Sequence, residues 1–92
     1  MSTKRVDANQ TAIVEALRGV GASVLSLAAL GNGVPDLLVA FRGQCYLLEC
    51  KSKDGKLTPD QWAWIFMWKG DVAVVRSADE ALKAIGVEVE SG

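Results

Sequence analysis

The chain has 92 residues, half of them hydrophobic, which suffices for one core and not for two, so residues 1–92 are predicted to form a single domain. The sequence contains no histidine, which excludes histidine-based zinc sites, Ser-His-Asp triads and nucleases that use a catalytic histidine. The formal net charge of −1 lacks the basic excess usual in DNA-binding domains, and no apolar stretch has the pattern of a membrane span or a signal peptide.

The first helix is predicted to begin at Asp7, with Gln10 three residues later as its capping-box partner, and to end at Gly19-Val20-Gly21. Its inward face recurs at helical spacing and consists of Val6, Gln10, Ile13, Val14 and Leu17. Gln10 is the polar member of this face. Either its capping role or a functional role would explain its position.

Three strands are predicted after this helix. Residues 22–27 are expected to form a short buried strand, and residues 28–33 a flexible, glycine-containing loop that leads to the next strand. The two apolar runs that follow have strand length and are separated by a tight hairpin turn. In order, these segments are Leu37 to Phe41, the turn Arg42-Gly43-Gln44, and Cys45 to Lys51.

Charged residues lie where the two hairpin strands are expected to meet. Asp36 opens one strand, and Glu49 and Lys51 share one face at the end of the other. Two neighbouring carboxylates repel each other, and a hard divalent cation such as Mg²⁺ relieves this repulsion, with the carbonyl of Cys50 as a further oxygen ligand. Lys51 would supply positive charge to a reacting phosphate, which makes phosphodiester cleavage the indicated chemistry. The alternative is a hairpin edge that carries solvated charges.

Several cations are candidates for contact with phosphate groups. Arg42 lies in the hairpin turn, and Lys53 and Lys56 lie in a basic, glycine-containing loop that follows the second hairpin strand. Together with Lys51 and the Lys4-Arg5 pair, they would form a positive surface, while acidic residues gather near the other end of the chain. Ordinary surface charge explains the same residues.

The next helix begins with strong capping signals. Thr58 is predicted as N-cap, Pro59 as the first helical residue and Gln61 as the capping-box partner. The helical residues 61–69 include three tryptophans and are apolar around almost the whole circumference, so the helix is expected to be buried on all sides. In a chain of this size, the excess apolar surface of the Trp62 to Trp68 helix favours a homodimer interface. Stacking of the tryptophans on nucleobases is the alternative.

The last elements complete an α/β domain. Residues 71–75 are predicted to form a strand, and Ser77 caps a helix that runs to Ile85 and is ended by Gly86. The order is therefore α-β-β-β-α-β-α, with a mixed β-sheet flanked by helices on both faces.

The two cysteines are not expected to form a disulfide. Cys45 and Cys50 have opposite parity in one strand, so their side chains point to opposite faces. They are interpreted as small core residues of a reduced, cytoplasmic protein.

The segment Val-Pro-Asp, twelve residues and Glu-Cys-Lys resembles the Pro-Asp…(Asp/Glu)-x-Lys nuclease superfamily. The surrounding chain, from the first helix through Leu57-Thr58-Pro59-Asp60-Gln61 to the last, is similar to its VRR-NUC branch and to Holliday junction resolvases. The resemblance implies a restriction-endonuclease-like core and a Mg²⁺- or Mn²⁺-dependent DNA endonuclease that favours branched DNA. Asp36 and Glu49 would be the metal ligands and Lys51 the catalytic lysine, and the resemblance places Gln61 beside the site.

The sequence departs from the family pattern in the first helix. Junction resolvases carry an acid three residues before an Ile-Val pair, and here Gln10 precedes Ile13 and Val14 at that spacing. An amide cannot offer a full negative charge to a metal, although it can orient water or contact a metal-bound oxygen. Four-way junction cleavage is therefore the first hypothesis. A flap or nicking repair nuclease and a catalytically degenerate DNA-binding subunit are the alternatives.

Overall fold

The computed structural model describes residues 8–89, and the predicted order of helices and strands is confirmed over this range. The elements are α1 (Ala8–Gly19), β1 (Ser23–Ser26), a short 3-10 helix (Ala28–Leu30), β2 (Leu37–Phe41), β3 (Gln44–Cys50), α2 (Pro59–Met67), β4 (Val72–Val75) and α3 (Ala78–Ala84). Four features of the sequence analysis lie outside the described residues: the predicted helix start at Asp7, the inward position of Val6, the Lys4-Arg5 pair and the acidic Glu90.

The four strands form one mixed sheet in the order β1-β2-β3-β4. The first three strands are antiparallel, and β4 runs parallel to β3. Helices α1 and α3 pack together on one face of the sheet, and α2 lies over the other face. The prediction of a mixed sheet with helices on both faces is confirmed.

The core lies between the sheet and the α1–α3 pair. Ile13 and Leu17 of α1 are fully buried, as the helical spacing predicts. They meet the inward side chains of β2, β3, β4 and α3, which are Leu37, Val39, Leu48, Val75, Ala81 and Ile85. Because side chains alternate along a strand, the residues between these positions point to the α2 face.

The β2–β3 hairpin closes with two residues rather than the three that the sequence predicts. Gln44 pairs with Phe41 and belongs to β3, so the turn consists of Arg42 and Gly43. Both turn residues have positive φ angles, 51° and 79°. Two-residue turns of this kind match the right-handed twist of the flanking strands, which explains the tighter connection.

The prediction that the first strand is buried is wrong. β1 is an edge strand, and Leu25 keeps 58% of its surface exposed. Its neighbour Val24 is partly buried against the core. Only one face of this strand is covered, because α1 packs on the core side and the described chain leaves Leu25 uncovered on the other.

Helix α2 is not buried on all sides, which corrects a second prediction. None of its residues is buried, and Phe66 and Met67 are 86% and 72% exposed. Only the side of α2 that faces the sheet is covered, and there the rings of Trp64 and Trp68 stack with centroids 4.7 Å apart.

Within residues 8–89, no helix has the length and apolarity needed to span a bilayer.

Candidate active site

The β2–β3 ladder brings the two predicted carboxylates together. Leu37 lies opposite Leu48, so the next step of the ladder places Asp36 beside Glu49, and both point to the α2 face. The Oδ2 atom of Asp36 accepts a hydrogen bond of 2.8 Å from the backbone N–H of Cys50. Asp36 is thereby fixed at the open end of the hairpin, as the sequence predicts.

Glu49 is a buried acid at the centre of this site. Only 1% of its surface is exposed, because β3 is an inner strand and the first turn of α2 covers its end. The side-chain amide Nε2 of Gln61 donates to Oε2 of Glu49 over 3.3 Å. Among the residues that the structure describes, Oε1 of Glu49 is a buried oxygen without a hydrogen-bond partner. A buried polar atom left in this state is costly, and it marks a place where a ligand can bind.

The surroundings of Glu49 favour its protonated form in the metal-free protein. Burial, followed by a hydrogen bond to Asp36 and the negative charge of Asp36, raises the pKa of Glu49 from 4.5 to about 8. The positive charge of Lys51 acts in the opposite direction and is the weaker effect. Glu49 therefore keeps its proton at neutral pH.

Gln61 has two roles at once, which the sequence presents as alternatives. Its backbone N–H donates to Thr58 Oγ1 over 3.2 Å, and its side-chain Oε1 accepts from the Thr58 N–H over 2.9 Å, so the predicted capping box is confirmed. With Oε1 held by the cap, the Nε2 group of the same amide points to Glu49. The helix cap therefore orients the residue that contacts the acid.

The loop before Asp36 is pressed against the start of α2. Gly33 has a φ of 82°, and a Cβ at this position would overlap the backbone carbonyl of Asp60. The glycine permits a close approach of protein backbone, since any side chain would separate the loop from the helix. Between them lies a polar cleft of about 220 Å³, which the side chains of Asp36, Thr58 and Gln61 help to line.

Lys51 follows directly on β3 and is held by contacts that the sequence analysis does not anticipate. Its N–H donates to the Val75 carbonyl over 3.0 Å. Its own carbonyl accepts from the side chain of Asn9 over 2.8 Å, and Asn9 also donates to the Arg76 carbonyl over 3.2 Å. Asn9 therefore ties the ends of β3 and β4 to α1. Its sequence signal is weak, since it is one of several polar residues at the start of α1.

Arg76 organises the basic loop after β3. Its Nη1 donates to the carbonyls of Ser52 and Gly55 over 2.7 and 2.6 Å. These contacts hold a loop in which Lys53 and Lys56 are exposed. The sequence gives no signal for this role of Arg76.

Arg42 and Gln10 are not joined to this cluster by any contact described. Arg42 stacks its guanidinium 4.8 Å above the Phe41 ring in the hairpin turn, at the opposite end of the ladder from Glu49. At about 3.3 Å per residue, that end is roughly 20 Å away. Gln10 is half-buried on α1. No group of three or more His, Cys, Asp or Glu side chains that could hold a metal occurs within residues 8–89.

The chain is similar to a solved structure described as a VRR_NUC domain. The two share 30% sequence identity over 83% of this chain and 88% of the other, with a TM-score of 0.65. No protein-family model matches the sequence. No curated protein matches it either.

Proposed function

This chain belongs to the VRR-NUC family and has the restriction-endonuclease-like core that its sequence resemblance implies, and from that premise we propose a divalent-metal-dependent DNA endonuclease selective for four-way junctions. The observation that carries the proposal is the pairing of Asp36 with Glu49 beside Lys51 at one end of the hairpin. Family membership supports nuclease activity. The metal is inferred from the donor atoms of the site, and the junction preference from the two-fold symmetry that a homodimer would share with a four-way junction.

The donor atoms suit a hard cation. Asp36 and Glu49 offer carboxylate oxygens, Cys50 offers its carbonyl, and one oxygen of Glu49 is buried with no hydrogen-bond partner among residues 8–89. Oxygen-only sites favour Mg²⁺ or Mn²⁺ over Zn²⁺. When bound, such a cation would polarise the scissile phosphodiester and stabilise the charge of the leaving oxygen.

The protein's own groups then have distinct tasks. Asp36 is held by the Cys50 N–H and Glu49 by Gln61, so both acids are oriented before substrate binds. The ammonium group of Lys51 places positive charge at the negative charge that develops on phosphate during attack by water. Lys53 and Lys56, exposed in the neighbouring loop, contact the DNA backbone.

The site is tested with conservative variants. Asp36→Asn, Glu49→Gln and Lys51→Met retain similar size and should each reduce junction cleavage in Mg²⁺ by about a hundredfold or more, since each removes a charge used in the transition state. EDTA should abolish cleavage by the parent protein, and Lys83→Met, an exposed lysine of α3, is the matched control. Undiminished cleavage by Asp36→Asn would refute the assignment of the site.

A homodimer would supply the two sites that paired cuts require. Three large apolar side chains at the end of α2 are exposed: Phe66, Met67 and Trp68. Trp68 keeps 47% of its surface exposed and lines an apolar groove of about 470 Å³. Residues of this kind anchor subunit contacts, and two-fold dimers are the commonest closed assemblies. A two-fold dimer matches the symmetry of a four-way junction. Sedimentation at micromolar concentration should show a dimer, and a stable monomer would contradict this part of the proposal.

A catalytically degenerate DNA-binding subunit is the second candidate. It is favoured by Gln10, which stands where junction resolvases carry an acid, and by the two-carboxylate site within residues 8–89. Such a protein would bind branched DNA and cut none of four-way junction, flap, nicked or linear duplex with either Mg²⁺ or Mn²⁺. Preferential cutting of flap or nicked DNA would instead identify a repair nuclease.

A further inference from the structure

A second groove lies along α2, on the other side of the helix from the apolar groove. It has a volume of about 490 Å³ and is lined by Lys56, Leu57, Trp62, Val74 and Arg76. Trp62 is separated from Trp64, which lines the apolar groove, by about 200° around the helix axis at ~100° per residue. The volume lies within the range of ~300–1,000 Å³ typical of small-molecule pockets.

This groove borders the active site. Val74 on its floor pairs directly with Glu49 in the parallel β3–β4 register. Trp62 follows Gln61, whose side chain contacts Glu49. On its far side, Lys56 belongs to the loop that begins directly after Lys51. A ligand in the groove would therefore lie next to a phosphate held at the two carboxylates.

The groove combines an exposed aromatic ring with two cations. Trp62 keeps 61% of its surface exposed, although burying such a ring is strongly favourable. The charge of Arg76 is fixed at the groove because its guanidinium is bound to the Ser52 and Gly55 carbonyls. An aromatic face next to fixed positive charge is the combination with which proteins hold a nucleobase and its phosphate.

Charge also decides between DNA and a second copy of the chain as the occupant. If two copies met at this groove about a two-fold axis, Lys56 and Arg76 of each would face the same residues of the other. Four like charges would then be buried together, which is unfavourable. A polyanion neutralises them instead.

We propose that this groove takes one unpaired nucleobase of the DNA substrate, stacked on Trp62, with Lys56 and Arg76 facing its phosphate. The inference rests on the proposed function and deepens it, because base pairs at a branch point lack continuous stacking and open more readily than those of intact duplex. It gives the chain a means of selecting branched DNA that requires no base sequence.

The proposal is tested by a double-mutant cycle between protein and DNA. Four-way junctions are prepared with single abasic sites at each nucleotide flanking the branch point, and their affinity is measured by fluorescence anisotropy in EDTA. The parent protein should lose about tenfold in affinity at one abasic position, within the range of stacking on one base. Trp62→Leu should be about tenfold weaker on the intact junction and insensitive to that abasic site. Trp62→Phe, which keeps an aromatic face, should stay within a few-fold of the parent.

Two outcomes would overturn the proposal. One is a parent protein that tolerates every abasic site. The other is an equal loss of affinity by Trp62→Leu for intact and abasic junctions, and sedimentation of the variant would then show whether Trp62 lies between copies. A cleavage assay in Mg²⁺ separates failure of the groove proposal from failure of the proposed function. Base-dependent binding without cleavage refutes the nuclease and retains the groove. Cleavage without base-dependent binding refutes the groove and retains the nuclease.

Discussion

The raised pKa of Glu49 predicts an unusual pH dependence of stability for the metal-free protein. Between pH 4.5 and about 8 the folded protein keeps a proton that the unfolded chain has lost. The folded state therefore binds more protons, and the free energy of unfolding falls as pH rises through this window. The contribution of the protonated carboxyl group is fully present below pH 4.5 and is lost above about pH 8.

The size of the effect follows from the pKa difference. The pKa of Glu49 rises from an ordinary 4.5 to about 8. At ~1.36 kcal/mol per pKa unit, this difference changes the free energy of unfolding by roughly 5 kcal/mol across the window. Glu49→Gln has no carboxyl group to ionise and should not show this loss. The groups remote from Glu49 are common to both proteins, so the difference between their unfolding free energies reports on Glu49 and its immediate contacts.

The assay is urea unfolding of both proteins in excess EDTA, at intervals from pH 4.5 to 8.5. The variant should gain stability relative to the parent as pH rises, by several kcal/mol in total. Adding Mg²⁺ at pH 8 should stabilise the parent and leave Glu49→Gln nearly unchanged, because ligand binding to the folded state needs the ionised acid. Parallel curves for the two proteins would refute the account of a buried Glu49 that stays protonated at neutral pH.

Two further pairs of substitutions test how the site is held together. Gly33→Ala should destabilise the fold by about 2–4 kcal/mol, because it adds strain and overlaps the first turn of α2. Its control is Gly86→Ala after α3, which is also at positive φ but has open space around its Cβ, and this change should cost only about 1–2 kcal/mol by urea unfolding. Thr58→Ala and Ser77→Ala each remove an N-cap and should cost about 1 kcal/mol. Only Thr58→Ala should also slow cleavage at saturating DNA, because only that cap orients Gln61, and equal kinetics for the two would contradict its second role.

The hairpin shows what local sequence rules can predict. Alternation along a strand and a short turn decide which residues face each other, so the meeting of Asp36 with Glu49 follows from spacing alone. The capping box before α2 is equally local and is found as predicted. The order of the elements also follows, since each has its own periodicity and termination signals.

Errors arise where the outcome depends on distant parts of the chain. The exposure of Leu25 depends on the position of β1 at the sheet edge, which nothing in its own four residues specifies. The contacts of Asn9 span 42 and 67 residues, and no spacing rule reaches that far. Arg42 is near the site residues in the sequence, but it lies in the hairpin turn, which is at the end of the β2–β3 ladder remote from Glu49.

Strand-by-strand mapping of cuts in a four-way junction tests the central claim most directly. Each strand is labelled in turn, and the junction is incubated with the protein in Mg²⁺, alongside linear duplex of the same sequence. We predict paired incisions on opposing strands at equivalent distances from the crossover, little cutting of the linear duplex, and none in EDTA. Equal or faster cutting of linear duplex, or no cutting with any divalent metal, would contradict the account.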